Sequence, residues 1–288
     1  MEFGLLDIAV FLGFVVAVVA TGLLKSRHEK TTEDYFLAGR GLKWWLIGFS
    51  LIAANISSEQ LVGMSGNAAS HVGLAIASYE WMAAITLVVV AFAFLPYFLR
   101  AGIYTMPEFL EVRYNATART IMAVATLFIY MLLLGSVTYS GALTVNTMAG
   151  KMGYDVSIAS AALVIGLIAM VYVTAGGLKA CAWADLIQGS ALILGGAVVM
   201  IFAFKRLGVT TDELSFVENV KTGAVGLKTF AQDTGAIDRF WELNKVRMNM
   251  FLPSTDKVLP CTALLLGLWI PNFYYWGLNQ YITQRTLA

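Results

Sequence analysis

An all-α polytopic membrane protein is the fold class this sequence predicts, on three observations. Hydrophobic residues fill 59% of the 288 positions and charged residues only 13%. A soluble domain carries about 25% charged residues. Several apolar runs reach roughly 20 residues, enough to cross a bilayer as a helix. The runs are solid rather than alternating, which argues against a membrane β-barrel.

Seven spans follow in order, at roughly 5–24, 44–65, 75–98, 120–148, 156–174, 181–204 and 260–284. The first begins after Met-Glu, with no basic stretch and no small-residue cleavage site, so it reads as a retained span. The loop at 205–257 is charged and mixed, with room for a short surface helix. The N-terminus is predicted outside, from the Lys and Arg of the short loops. Lys25, Arg27, Lys30, Arg40 and Lys43 follow span one, and Arg100, Arg113 and Arg119 follow span three. The loop after span two has no Lys or Arg. Lys151 and Lys179 stand alone after spans four and five. Residues 25–43 are then cytoplasmic and 205–257 external.

Several function classes find no support. The net charge of +1 leaves no nucleic-acid footprint. No G-x-x-x-x-G-K-[ST] string offers a phosphate cradle. Cys181 and Cys261 lie in or beside apolar runs and read as small packing residues. His28 and His71 are far apart and form no metal or catalytic motif. No enzyme and no organic cofactor is expected.

The informative residues are polar ones at membrane depth. SLIAANISSEQLVGMSG, 50–66, places Asn55, Ser57, Ser58, Glu59 and Gln60 mid-span. A charge at the bilayer centre costs about 2.5–3.5 kcal/mol on insertion scales, so such groups face a bundle interior or a cavity. Glu80 and Asp185 raise the same question in spans three and six. Span seven carries LWIPNFYYWGLNQY, 268–281, where Pro271 removes a backbone donor. Asn272, Tyr275 and Asn279 would share one helical face. Hydrogen bonding between helices is the bland reading of these groups. Spans two and seven are five apart, so the second repeats the first with inverted topology. Paired broken helices in inverted repeats mark secondary transporters of the LeuT type.

Six strings, in order, are DYFLAGR (34–40), SLIAANISSEQLVGMSG (50–66), ASYEWM (77–82), GIYTMPEFLEVRYN (102–115), GGLKACAWADLIQ (176–188) and YYWGLNQYITQRTLA (274–288). Together they closely resemble the sodium/solute symporter family, in its sodium/glucose (galactose) cotransporter branch. The resemblance implies a LeuT-like inverted-repeat fold. It would have one extra N-terminal helix (5–24), a first five-helix repeat (44–204) and the first helix of a second repeat (260–284). It implies sodium on the backbone carbonyls of Ala53 and Ile56. Gln60, Glu80 and Asn272 would hydrogen-bond a sugar, and Tyr275 would stack on the ring and gate the inner side. Met64 and Tyr79 would close the outer side, and Asp185 would lie on the sodium exit path. The implied partners are a sugar, co-transported sodium, the lipid of a plasma or inner membrane, and further chain beyond Ala288.

The residue chemistry agrees. Sugar hydroxyls donate and accept, and a set of Gln, Glu and Asn offers both roles. An aromatic face suits the apolar face of a sugar ring. Ile56, Gln60 and Met64, four apart, would share a face if the helix resumes by Ile56. Two positions depart from the family pattern. Ala83 stands where the branch can carry a serine after EWM, and Ala184 replaces a threonine before the aspartate of span six. A symporter of inositol, an amino acid or a carboxylate is the nearer alternative. A transporter-derived membrane sensor is the other.

Overall fold

The computed structural model describes residues 4–27, 31–57 and 59–288, with Glu59 described by its backbone alone. His28, Lys30, Ser58 and the Glu59 side chain therefore lie outside the described residues.

Among the described residues, four helices are long and apolar enough to cross a membrane. They are α1 (Leu5–Lys25), the segment Gly73–Ala101, α8 (Ala116–Lys151) and α9 (Ile158–Val209). A fifth span forms if α3 (Trp44–Asn55) and the segment Gln60–Ala69 count together. The difference from seven has two causes. At 52 residues, a straight α9 would be about 78 Å long, more than twice a bilayer core. It breaks at Gly177, φ 56° and ψ −157°, a conformation essentially reserved for glycine. Predicted spans five and six are the two sides of that break. Span seven is divided into short pieces, each below spanning length. They are the π-helical turn Ala263–Gly267, α11 (Trp269–Phe273), the π-helical turn Tyr274–Leu278 and α12 (Gln280–Thr286).

The surface of the long helices identifies their solvent. No residue in the apolar window of α8 is buried, and Leu127, Phe128, Leu132 and Leu134 are each about two-thirds exposed. Soluble monomers rarely expose apolar patches beyond a few hundred Å². Lipid satisfies such a face, while the helix satisfies its own backbone.

Two compact units divide the chain. The first comprises residues up to Glu59, Ala91–Ser190 and Gly277–Ala288. Its caps explain several of the strings above. Thr31 and Asp34 form a capping box on α2 (Thr32–Leu37), and Thr105 and Glu108 do so on α7 (Met106–Arg113). Gly102, at φ +66°, follows α6 (Leu95–Ala101) in the left-handed conformation that glycine tolerates. The core holds Leu37, Phe98, Ile103, Met106 and Leu287, with Phe98 edge-on to Phe109 at 4.9 Å. Helix α12 is bonded into this unit. Gln280 accepts from Met106 N at 2.8 Å, and Gln284 donates to Phe36 O at 2.6 Å.

The second unit comprises Gln60–Val90 and Ala191–Trp276. It contains α4 (Ser65–Ala69), α5 (Ser78–Val89), α10 (Ala236–Asn244) and a hairpin of β1 (Leu214–Asn219) with β2 (Ala224–Lys228). Val72, Ala75, Met82, Leu252, Leu259 and Leu264 form its core. The expected surface helix is α10. The antiparallel hairpin, with its register shift between Val217 and Asn219, is additional. Arg239, 1% exposed, pins this region. Its guanidinium donates to the carbonyls of Leu207, Thr210, Ala231 and Thr234 at 2.6–3.0 Å.

Candidate solute and sodium sites

Gln60, Met64, Tyr79, Glu80, Asn272 and Tyr275 all fall in the second unit. Gln60 and Met64 lie in the π-helical turn Glu59–Met64 and are half-buried. Tyr79 and Glu80 open α5, where a carboxylate complements the positive end of the helix. Both are exposed. Asn272 sits on α11, which packs against α5 through the apolar cluster of Met82, Leu264, Leu268 and Trp269. Asn272 and Glu80 thus ride on neighbouring helices. The Asn272 side-chain amide donates to Leu268 O at 2.9 Å. That bond uses one N–H, and an amide also has a second N–H and a carbonyl oxygen. Tyr275 is half-buried, edge-on to Trp276 at 5.0 Å.

Two geometric expectations, on Ile56 and on Asn279, are corrected. Ile56 is extended, φ −89° and ψ 119°, and the described helix resumes only at Glu59, so Ile56 does not share a helical face with Gln60 and Met64. Pro271 follows by one turn the first division of span seven, at Leu268 between the π-helical turn Ala263–Gly267 and α11, in keeping with its missing donor. A second interruption, which the sequence reading did not place, is at Asn279, φ −73° and ψ 123°, so Asn279 does not continue the helical face of Asn272 and Tyr275. The Asn279 side chain, 4% exposed, instead accepts from the Tyr130 hydroxyl at 2.7 Å. That hydroxyl also accepts from Tyr281 N at 3.0 Å.

Ala53, Ile56 and Asp185 fall in the first unit. Ala53 is in the last turn of α3, and Ile56 follows its end. The last four carbonyls of a helix lack intrahelical partners and carry its negative end. One of them, Ile52 O, is taken by Ile56 N at 2.9 Å. Irregular backbone at the end of a broken helix is the kind of place where a small cation can be met. Helix α9 runs alongside. A Cβ on Gly189 would sit 3.4 Å from Phe49 O and 3.6 Å from the Ala53 Cβ. One turn earlier on both helices, Ser50 Oγ donates to Asp185 Oδ2 at 2.5 Å. Asp185 and Ala53 therefore lie along one seam, about 5 Å of helix apart.

Sequence reasoning missed the groups around these residues. Arg285 Nε donates to Ser50 Oγ at 2.8 Å, and its Nη2 lies 3.4 Å from Asp185 Oδ2. In the second unit, Arg247 donates to the carbonyls of Ala68, Ala69 and Ser70 at the end of α4, where a cation complements the helix dipole. His71 Nε2 lies 3.0 Å from Asp256 Oδ2. Burial alone pushes the Asp256 carboxyl up. The amides of Leu259 and Val258 and the His71 ring outweigh it, so the group sits below the ordinary carboxylate range. Its stabilising contribution is present above about pH 4 and is lost as pH falls through the lowered folded value. The thermal midpoint is expected to fall further between about pH 5 and pH 3 in the unsubstituted protein than in Asp256→Asn. Equal falls would show that the pair contributes nothing.

Comparison with known proteins decides the family. The family model for the sodium:solute symporter family matches residues 35–288. The chain belongs to the sodium:solute symporter family. This symporter-family chain is 44% identical over 297 residues to a sodium/glucose cotransporter of Vibrio parahaemolyticus, covering 100% of this chain and 50% of that protein. It is 33% identical to sodium/glucose cotransporter 2 of Rattus norvegicus, covering 98% of this chain and 42% of the relative. The chain spans about half the length of the curated relatives it matches. Among solved structures, a Na+-coupled sialic acid symporter in a substrate-bound outward-open state superposes with TM-score 0.75. At 21% identity, it covers 99% of this chain and 53% of that one. The fold is therefore the LeuT-like, mostly helical transporter fold, and the protein is a multi-pass membrane protein.

Proposed function

We propose that the chain carries half of the machinery of a sodium-coupled sugar symporter. The observation that carries this reading is the 44% identity to a sodium/glucose cotransporter along the whole chain. Gln60, Glu80 and Asn272 are the proposed hydroxyl partners. Tyr275 is the ring platform and inner gate, and Met64 and Tyr79 are the outer closure. The mixture of donors and acceptors supports a polyol over a cation, and Glu80 opposes a carboxylate substrate. Sodium is the co-transported cargo, held first by the carbonyls of Ala53 and Ile56 and released past Asp185. Two carbonyls leave most of a sodium shell unfilled, so a further segment of chain is the proposed partner that completes both sites. The proposed repeat occupies 44–204, with 260–284 opening its inverted copy.

Coupling then follows from linkage: sodium favours the state with its site formed and so raises sugar affinity. In the transport-competent protein, labelled glucose or galactose is expected to bind more tightly in sodium than in potassium. Inositol, proline and acetate should compete poorly. Strong competition by one of these three, with none by the sugars, would reassign the substrate.

The proposed location is the cell membrane, plasma or inner, with the N-terminus outside, residues 25–43 cytoplasmic and 205–257 external. Single cysteines in the two loops test this in intact cells. An impermeant thiol reagent is expected to label the second loop only, and labelling of 25–43 would overturn the orientation.

A further inference from the structure

The Asp185, Ser50 and Arg285 cluster is more than a sodium path can explain. Ser50 is fully buried and Asp185 is 8% exposed. The Arg285 side chain is 14% exposed. Each comes from a different helix: α3, α9 and α12. The Ser50 hydroxyl accepts from Arg285 Nε and donates to Asp185 Oδ2, so it relays one charge to the other. The direct Arg285–Asp185 contact, at 3.4 Å, is long for a charge-assisted hydrogen bond. Arg285 has other anchors on its own helix. Nη1 donates to Tyr281 O at 2.6 Å, and the guanidinium lies 5.8 Å from the Tyr281 ring centroid.

This geometry has a chemical consequence. Arg285 is held mainly by neutral groups and touches the carboxylate lightly. It could leave Asp185 without losing its Ser50 or Tyr281 bonds. Asp185 in turn is a buried carboxylate that requires a cation nearby. Two cations can serve: the guanidinium, and a sodium ion arriving along the α3–α9 seam from Ala53.

We propose that Arg285 is a tethered cation that competes with sodium for Asp185, so that the cluster is an ion-displaceable latch among α3, α9 and α12. The proposal rests on the sodium-symport reading above and deepens it. With sodium elsewhere, Arg285 neutralises Asp185 and the three helices are held together at this level. With sodium at Asp185, the pair loosens and α12 is released from α9. On the proposed orientation the cluster lies in the cytoplasmic half of these helices, so return of Arg285 both expels sodium and recloses the inner side. Arg285 acts here as a positioning residue, through Asp185.

The test is a sodium titration of the purified transport-competent protein. Thermal midpoints are followed in sodium against choline chloride at constant ionic strength, for unsubstituted protein, Arg285→Gln, Arg285→Lys and Asp185→Asn. Removing the competitor is expected to lower the half-saturating sodium concentration about tenfold in Arg285→Gln. Arg285→Lys, which keeps the charge and loses the fork, should lie between. Asp185→Asn should be insensitive to position 285 when combined with Arg285→Gln. An unchanged half-saturating sodium concentration in Arg285→Gln, with sodium-dependent sugar uptake intact in the unsubstituted protein, would overturn the latch alone. If Arg285→Gln does not fold, an unchanged half-saturating sodium concentration in Arg285→Lys overturns it equally. Absence of sodium-dependent uptake in the unsubstituted protein would instead overturn the symport reading and the latch with it.

Discussion

Glu80→Gln is expected to weaken sugar uptake by roughly 5- to 150-fold while leaving expression near normal. A lost or mispaired hydrogen bond in a desolvated site costs about 1–3 kcal/mol, which spans that range. The prediction separates function from packing because Glu80 is exposed at the start of α5, and glutamine keeps its size and one carbonyl oxygen. Gln60→Glu should behave likewise, since it trades an amide donor for an acceptor-only group. Asn272→Ala should cost stability as well, because its amide also holds Leu268 O. Kinetics unchanged in both Glu80→Gln and Gln60→Glu would assign these residues to structure.

The largest expected stability effect is at Asp185. Asp185→Ala leaves Arg285 inside the first unit without its carboxylate partner. An uncompensated buried charge costs up to about 3–5 kcal/mol; with Ser50 Oγ and Tyr281 O still bonded to Arg285 and a direct contact of 3.4 Å, the loss is expected toward the lower end of that range. The yield of monodisperse protein should drop sharply. Replacing both charges, as Asp185→Ala with Arg285→Met, should recover much of it, because an apolar pair carries no unpaired charge. The check is size-exclusion profile and thermal midpoint for the two variants side by side. A single variant as stable as the double one would show that Arg285 is solvated and not paired. The loss in this experiment is of folded protein, whereas the sodium titration reads a shift in ion affinity among folded variants.

The sequence made the long helices legible because they are set by composition over about 20 residues, and membrane helices satisfy their own backbone. The break in span two was also legible, since Asn55 and Ser57 are poor company for a lipid-facing helix. The interruption of span seven was legible in part. Pro271 is a strong local signal and follows the division at Leu268 by one turn. The second departure from helix is at Asn279, whose side chain is held by Tyr130, 149 positions away. No local pattern reports such a contact. The Ser50–Asp185–Arg285 cluster was invisible for the same reason: Ser50 lies 135 residues from Asp185 and 235 from Arg285. Each residue looked ordinary alone, a serine in an apolar helix and an arginine near a span end. The hairpin at 214–228 did leave a trace, in the alternation of LSFVEN and the turn residues KTG, but a charged loop masks so short a signal. The role residues implied by the family resemblance divide between the two units in a regular way, with those proposed for the solute and the gates in one and those proposed for sodium in the other.

The proposed function requires that solute movement be driven by sodium through these residues. The direct measurement is uptake of labelled glucose or galactose into proteoliposomes bearing the transport-competent protein. An inward sodium gradient is compared with an equal potassium gradient. The account predicts accumulation above the external concentration with sodium only, saturable in sugar. That accumulation should fall in Glu80→Gln and collapse when an ionophore dissipates the sodium gradient. Equal uptake in sodium and potassium, or sodium-driven uptake unaffected by Glu80→Gln, Gln60→Glu and Asn272→Ala, would contradict it.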